Sequence, residues 1–458
     1  MHSVLGFGLA AGKGVRLQPL TLKASGYIRA KAVVRFLGQR LIHWLLPALR
    51  AQGLDNVLMI THGKENRGQI KSCLGYGEAC GMDVRYSPVS LDVQNTGSGS
   101  AFIANLEHFD LCAAQGVVFP TDSLFDIDLP GMLAAHRQQG AMVTIATVRY
   151  PAEAIAGRYG LILQNAEHRV QGFLEKPSLD EIHRQYPLSN DAQSAMPGFD
   201  TSAGLYIVDI DMLRAVARHA DIVAMRNTRC DIGSDLLPWL VDHGYPVYSY
   251  GIARMGDLGN IPSYLETMVD TLRGKFAASA IQLPRDASVP AGCFIDQTSY
   301  QLRDPHSNLT LGEKLSRGLV TVLPPVRIGK YVRIDPGVTL SACNIDDECE
   351  LHEEASIVRS SIGEGALIGA HTRLTDTVLG TMVTIHSTRQ QPVELSDFTA
   401  LGDEVTVHAG VTMRARVTVY PRVTIPSGIH LDTPDEITSS ESLPKVAASR
   451  GVTPHVLL

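Results

Sequence analysis

Gly8-Leu9-Ala10-Ala11-Gly12-Lys13-Gly14-Val15-Arg16-Leu17-Gln18-Pro19-Leu20-Thr21 grows out of an apolar run that begins at Val4. That run reads as a buried strand, and the strand empties into a glycine-rich turn. Glycines directly after a strand let backbone N–H groups approach phosphate oxygens with no Cβ in the way. Arg16 adds a forked set of donors suited to phosphate. A Walker loop is excluded, because Gly14 and not Ser or Thr follows Lys13, and the first glycine is misplaced. A dinucleotide fingerprint at Gly6-x-Gly8-x-x-Ala11 is weak: little strand precedes Gly6, and no acidic residue stands about twenty residues on. Taken alone, the segment could also be an ordinary strand-to-helix turn.

Outward from this turn, strand-like and helix-like segments alternate, as an α/β layer fold requires. Gln39 to Gln52 carries Ile42, Leu45, Leu46 and Leu49 at helical spacing, with Gly53 as a stop. Val57 to Thr61 and Val117 to Phe119 read as short buried strands. Leu129 to Gln139 predicts a helix and Met142 to Val148 the strand after it. Tyr159–Gln164 and Arg169–Leu174 form a hairpin pattern around Asn165-Ala166-Glu167-His168, and the alternation continues to about Gly274.

The last third differs in kind. Val405, Val411, Val417 and Val423 recur every six residues, as do Val407, Met413, Val419 and Ile425. Val326, Val332 and Val338 with Ile328, Ile334 and Leu340 make an earlier block; Ile362, Ile368 and Leu374 with Ala366, Thr372 and Val378 make a third. A helix repeats at about 3.6 residues and a strand at 2. A period of six therefore means short strands stacked around a prism, each coil covered by the next. His386 to Ser396 breaks the period and predicts a loop. The expected division is 1–274 as an α/β domain, 275–325 as a connector, 326–430 as a β-helix and 431–458 as a tail.

Composition bounds the function. The chain has 458 residues, enough for two or three domains. Its formal net charge is −7, with no basic run, which argues against a nucleic-acid partner. No positive segment precedes the apolar start, and no stretch approaches a membrane span. Seven scattered cysteines include no C-x-x-C pair and suggest reduced thiols in a cytoplasm. The histidines have no metal-ligand spacing, so no transition-metal site is expected.

The glycine-rich turn also heads an ordered set of motifs. Arg29-Ala30-Lys31 follows with Phe36-Leu37-Gly38 behind it; then come Asn95-Thr96-Gly97-Ser98-Gly99, Pro120-Thr121-Asp122, Phe173-Leu174-Glu175-Lys176-Pro177 and Asp257-Leu258-Gly259. In this order they resemble the signature of the sugar nucleotidyltransferases, over the whole length of that family's catalytic domain. Arg29-Ala30-Lys31, Ser202-Ala203-Gly204-Leu205-Tyr206 and Asp231-Ile232-Gly233-Ser234-Asp235 are most similar to the ADP-glucose pyrophosphorylase branch. The resemblance implies a Rossmann-like nucleotidyltransferase domain followed by a left-handed parallel β-helix. The sequence departs from the branch at Ala32, Arg35, Thr121, Met255-Gly256 and Asn95. None of these removes a charged catalytic group, but several border the sugar or the nucleotide, so a cyclitol phosphate is conceivable beside a sugar 1-phosphate.

The reaction so implied is attack of a sugar-phosphate oxygen on the α-phosphorus of a nucleoside triphosphate, with release of pyrophosphate. That nucleophile is already anionic near neutral pH, so positioning and charge stabilisation replace a general base. On this resemblance Arg16 and Lys31 stabilise the triphosphate and its developing charge. Leu9, Ala10, Ala11, Gly12, Gly14, Thr96 and Gly97 hold the nucleotide, and Gly160, Glu175, Lys176 and Ser202 the sugar phosphate. Asp122 and Asp257 would bind Mg²⁺, which favours carboxylate and phosphate oxygens. Singly, each has a plain structural reading: an Asp after a strand is usually a turn or cap, and Lys176 a surface lysine. ATP is the first expectation for the base and GTP the second, in a homo-oligomer of two or four chains. Two other readings stay open: a non-catalytic nucleotide-sugar-binding paralogue, and a bifunctional enzyme whose β-helix transfers acyl groups with His352, His371, His386 or His408.

Overall fold

The computed structural model describes residues 4–12, 14–23, 28–157, 160–174, 177–185, 198–276, 283 and 289–443. Contacts divide the chain into two compact units. The first takes Met1–Gly12, Ile42–Met255 and Ala278–Ala280; the second takes Lys13–Leu41, Gly256–Ala277 and Ile281–Leu458.

The first unit is built on a nine-stranded mixed sheet. Its strands are β1 (Val4–Ala10), β2 (Asn56–Thr61), β3 (Asp83–Tyr86), β4 (Gln115–Pro120), β5 (Val143–Tyr150), β6 (Leu161–Gln164), β7 (Val170–Leu174), β8 (Phe199–Asp209) and β9 (Val247–Gly251). β3, β2, β1 and β4 lie side by side in that order and all run parallel. The central strands are buried along most of their length, which is why they read as unbroken apolar runs and not as alternations. β8 runs antiparallel to both β4 and β5, and β6 and β7 form the expected hairpin. Helix α1 (Ser98–His108) packs onto β1 through Phe7 and Phe102, whose rings meet edge to face at 5.0 Å.

The second unit is a parallel β-helix together with two segments from earlier in the chain. Three short strands make each coil. Arg333 pairs with Glu350, and Glu350 with Leu367, so the rise from one coil to the next takes 17 residues. The inward residues Val326, Ile328, Ile334, Ile345, Ile357, Ile368, Ile385, Val407, Val419 and Ile425 form one continuous buried column. Between Arg373 and Glu394 the step lengthens to 21; of His386 to Ser396, expected as a loop, Glu394–Leu395 is instead a coil strand that buries Leu395. Tyr331, Glu348, Gly365, Met382, Glu404 and Arg422 occupy the same corner of successive coils, all left-handed with φ between 54 and 68°. Such a conformation costs a non-glycine residue about 1–2 kcal/mol, and the ladder above and below each corner offsets it. These features fit the β-helix expected from the period of six, left-handed as the resemblance implies.

The boundaries need correction. The coil begins earlier than 326, because Cys293–Ile295 already pairs with the strand Thr321–Ile328. It also continues past 430: His430–Leu431 and Asp435–Ile437 pair with the preceding coil and bury Leu431 and Ile437. The last coil breaks the valine period, so the sequence alone reads it as tail. By contacts, Lys13–Leu41 and Gly256–Ala277 cluster with the coil. Leu17, Leu20, Val34, Phe36 and Tyr264 of these segments are buried, and the Phe36 and Tyr264 rings pack edge to face at 5.5 Å.

Candidate active site

The strand order β3-β2-β1-β4 reverses direction of growth at β1, because β2 is added on one side and β4 on the other. In open α/β sheets ligands bind outside the carboxyl ends of the strands at such a switch point. Leu9 and Ala10 end β1 there, beside Pro120, which ends β4. The next residue, Thr121, donates both its backbone N–H (3.2 Å) and its hydroxyl (3.0 Å) to the Leu9 carbonyl. This ties the start of the glycine-rich turn to Asp122 one residue on. The Ala10 carbonyl accepts from the Asn66 side chain. Ala11 is half-buried and Gly12 exposed, with open space where a Cβ would lie.

Thr96 and Gly97 precede helix α1, and their loop is closed on itself. The Ser100 hydroxyl accepts from the backbone N–H groups of Thr96 (2.9 Å) and Gly97 (3.0 Å), and the Thr96 hydroxyl donates to the Arg226 carbonyl. Two N–H groups of the first helical turn, from Gly99 and Ser100, donate to the Cys230 carbonyl at 2.9 and 3.1 Å. The helix end is thereby capped by the chain itself. Asp231, which sequence reasoning quoted only as a likeness, is the pin beneath this loop. One of its oxygens accepts from the Ser98 hydroxyl at 2.6 Å and the other from the N–H groups of Gly233 and Ser234. The signal was present as Asp before Gly-Ser, a helix-capping pattern.

Ser202 stands in a bulge of β8, where the pairing with β5 shifts register between Ser202 and Tyr206. Gly204, at φ 74°, supplies the left-handed residue this bulge requires, and its N–H donates to the Ser202 hydroxyl at 3.2 Å. Thr201 pairs with Leu161 in antiparallel register, which sets Gly160 beside Ser202. Burial raises the Tyr206 phenol to about 12, so it stays protonated below the bulge. Glu175 and Lys176, immediately after β7, lie outside the described residues.

The remaining candidates belong to the second unit. Gly14, left-handed at φ 69°, opens a 3₁₀ turn, Val15–Leu17, that buries Leu17 and leaves Arg16 exposed. The Thr21 hydroxyl donates to the Gly14 carbonyl at 2.8 Å. Lys31 starts a second 3₁₀ turn, Lys31–Val33, and a Cβ on Gly14 would lie 3.1 Å from its Cγ. Gly14 and the lysine stem are therefore direct neighbours. Asp257 accepts from the N–H of Gly259 at 2.7 Å, which orients its carboxylate just before the helix Ile261–Leu272. A Cβ on Gly256 would fall 2.4 Å from Thr267 Cγ2, so that position needs glycine. Among the described residues no three His, Cys, Asp or Glu side chains gather as a metal site. Single carboxylates that share an ion with substrate phosphates suit Mg²⁺, which keeps several non-protein ligands.

Comparison with known proteins fits this geometry. A family model described as nucleotidyl transferase matches residues 6–274. The chain is 26% identical over 377 residues to a UTP–glucose-1-phosphate uridylyltransferase of a Synechocystis strain, covering 80% of this chain and 85% of that protein. It is 27% identical over 392 residues to glucose-1-phosphate adenylyltransferase 1 of Vibrio vulnificus, covering 80% and 89%. It is 25% identical over 437 residues to a glucose-1-phosphate adenylyltransferase of Koribacter versatilis, covering 87% and 100%.

Proposed function

The chain belongs to the nucleotidyl transferase family, and from that premise we propose that it joins a nucleoside triphosphate to a sugar 1-phosphate, releasing pyrophosphate and an NDP-sugar. The observation that carries the acceptor is a contrast among the relatives: they are named for two different bases, uridylyl and adenylyl, but for one sugar phosphate, glucose 1-phosphate. Glucose 1-phosphate is accordingly our first acceptor, with a cyclitol phosphate as the variant. ATP is our first donor and GTP our second, in keeping with the adenylyltransferase names and the Arg29-Ala30-Lys31 motif.

In this reading Leu9, Ala10, Ala11, Gly12 and Gly14 border the triphosphate, while Thr96 and Gly97 face the base through loop shape. Arg16 and Lys31 would neutralise charge that develops as pyrophosphate leaves. Gly160 and Ser202 would line the sugar, and Glu175 and Lys176 would bind its hydroxyls and phosphate. Asp122 and Asp257 would hold Mg²⁺, which would supply Lewis-acid stabilisation of phosphate charge. The protein's own share is to align the sugar-phosphate oxygen with the α-phosphorus and to keep both anions in place. A cytoplasmic homo-oligomer is part of the same proposal. The test is pyrophosphate release from a panel of ATP, GTP, UTP and CTP against several sugar and cyclitol phosphates. Turnover confined to ATP or GTP with glucose 1-phosphate supports the reading; release with no acceptor in the panel refutes it.

A further inference from the structure

Among its described residues, the segment that carries Lys31 has two 3₁₀ turns, and the two-residue strands Arg35–Phe36 and Gln39–Arg40 paired with each other. No long backbone ladder holds it among the described residues. Its polar side chains instead meet one corner of the β-helix, coil after coil. Gln18 accepts from the Tyr420 hydroxyl at 3.1 Å. Arg29 forms an ion pair with Asp403, and its guanidinium also donates to the Leu20 carbonyl at 3.0 Å. Arg35 donates from Nε to Asp346 at 2.8 Å and pairs with Glu364. Gly38, at φ 83°, lies so close to Arg327 that a Cβ would fall 1.9 Å from its guanidinium. In the order Tyr420, Asp403, Glu364, Asp346 and Arg327, the segment runs down the coil as its own numbering rises.

Two of these partners are themselves fixed. Asp403 accepts from the backbone N–H of Thr381 at 3.0 Å, one coil below. The Asp346 carboxylate is 3% exposed and also accepts from Arg327 at 3.1 Å. Tyr264, buried, donates to the Arg35 carbonyl at 3.0 Å. Lys31 therefore sits between two guanidinium anchors, two residues after one and four before the other, and both end on carboxylates of the coil.

We propose that Asp403 and Asp346 are positioning residues for the transfer reaction: through Arg29 and Arg35 they hold the backbone that presents Lys31. This rests on the reading of Lys31 as a group that stabilises the triphosphate. It gives the β-helix a part in turnover that is separate from assembly. A charge fixed to within a fraction of an ångström is what makes such stabilisation effective, and misplacement by about 1 Å costs on the order of a hundred-fold in rate.

The test is steady-state kinetics of the full chain with its best donor and acceptor, comparing wild type, Asp403→Asn, Asp403→Glu, Asp346→Asn and Lys31→Ala. Glu404→Gln, an exposed neighbour paired only with Arg422 among the ion pairs described, is the control. Asp403→Asn is expected to lower kcat about ten- to a hundred-fold with the KM of each substrate within about twofold. Asp403→Glu should recover part of the loss, and thermal melting should stay near wild type. Asp346 is buried, so Asp403 decides the matter if Asp346→Asn does not fold. Wild-type kcat in Asp403→Asn while Lys31→Ala is crippled overturns the positioning role alone. Wild-type kcat in Lys31→Ala overturns both, because no charge would then need positioning.

Discussion

A Cβ placed on Gly97 would lie 2.4 Å from the carbonyl oxygen of Cys230. The backbone φ of Gly97 is 167°, which any residue can adopt, so close approach alone demands glycine here. The oxygen cannot retreat, since it accepts from two N–H groups of helix α1. Gly97→Ala should therefore move the loop proposed to face the base. Overpacking of about 1–3 kcal/mol predicts a rise in the triphosphate KM of roughly five- to a hundred-fold, with the sugar-phosphate KM little changed. Parallel KM measurements for the two substrates check this, and an unchanged triphosphate KM would remove Gly97 from the nucleotide site.

Arg16→Ala and Lys31→Ala should each lower kcat by about 10²–10³-fold, the usual loss when one fixed donor to transition-state charge is removed. Arg16 is exposed on its turn, so its removal should leave the melting temperature alone. Near-normal turnover in both variants would end their assignment.

Asp122→Asn and Asp257→Asn should raise the Mg²⁺ concentration needed for half-maximal rate, because an amide is a poorer ligand than a carboxylate. Titration of activity with Mg²⁺ after exhaustive chelation measures it. Full activity without a divalent cation refutes the metal assignment.

Lys176→Ala should raise the KM for the sugar phosphate roughly ten- to a hundred-fold, the equivalent of one charge-assisted hydrogen bond of about 1.5–3 kcal/mol. The triphosphate KM should move far less. Equal weakening of both substrates would count against a role confined to the sugar phosphate.

Away from the active site, Lys314 is 2% exposed and its ammonium donates to Asp304 and to the Ile334 carbonyl. Burial pushes the Asp304 carboxyl up, but the Lys314 ammonium and the N–H groups of His306 and Ser307 outweigh it and hold it well below the carboxylate range. A depressed folded-state pKa contributes stability above the unfolded pKa that is lost as pH falls through the folded one. Asp304→Asn should destabilise the protein by about 3–5 kcal/mol at neutral pH, as a buried charge loses its partner. The deficit against wild type should shrink in acid. Thermal melts from pH 7 down to about pH 3 read both effects; an unchanged melting temperature at neutral pH would show that the pair contributes nothing.

Much of this protein is legible in one dimension because local physics writes it there. The strand before Gly12 shows as an apolar run because parallel strands at the centre of a sheet are buried on both faces. The β-helix shows as a period of six because each of the three sides of a coil turns an apolar residue inward, and the next coil covers it. The order of motifs from Gly12 to Asp257 places the candidate residues in chemical classes before any distance is known. Asp231 could be read as a helix cap, but its pairing with Ser98 beneath the Thr96–Gly97 loop was not legible in this way. Ser98 and Asp231 are 133 residues apart, and neither residue type is unusual where it stands.

By itself the sequence determined the two architectures, from spacing within a few dozen residues, and the family and the chemical classes of the candidate residues, from short motifs in a fixed order. Tertiary structure decided which surface holds those residues. Lys13–Leu41 is continuous with β1, yet its contacts cluster with the coil, and Arg29 meets Asp403 across 374 residues of chain. An arginine and an aspartate so far apart carry no periodic signal. Only the folded path of the intervening coils, and the burial of the apolar side chains between them, makes them neighbours.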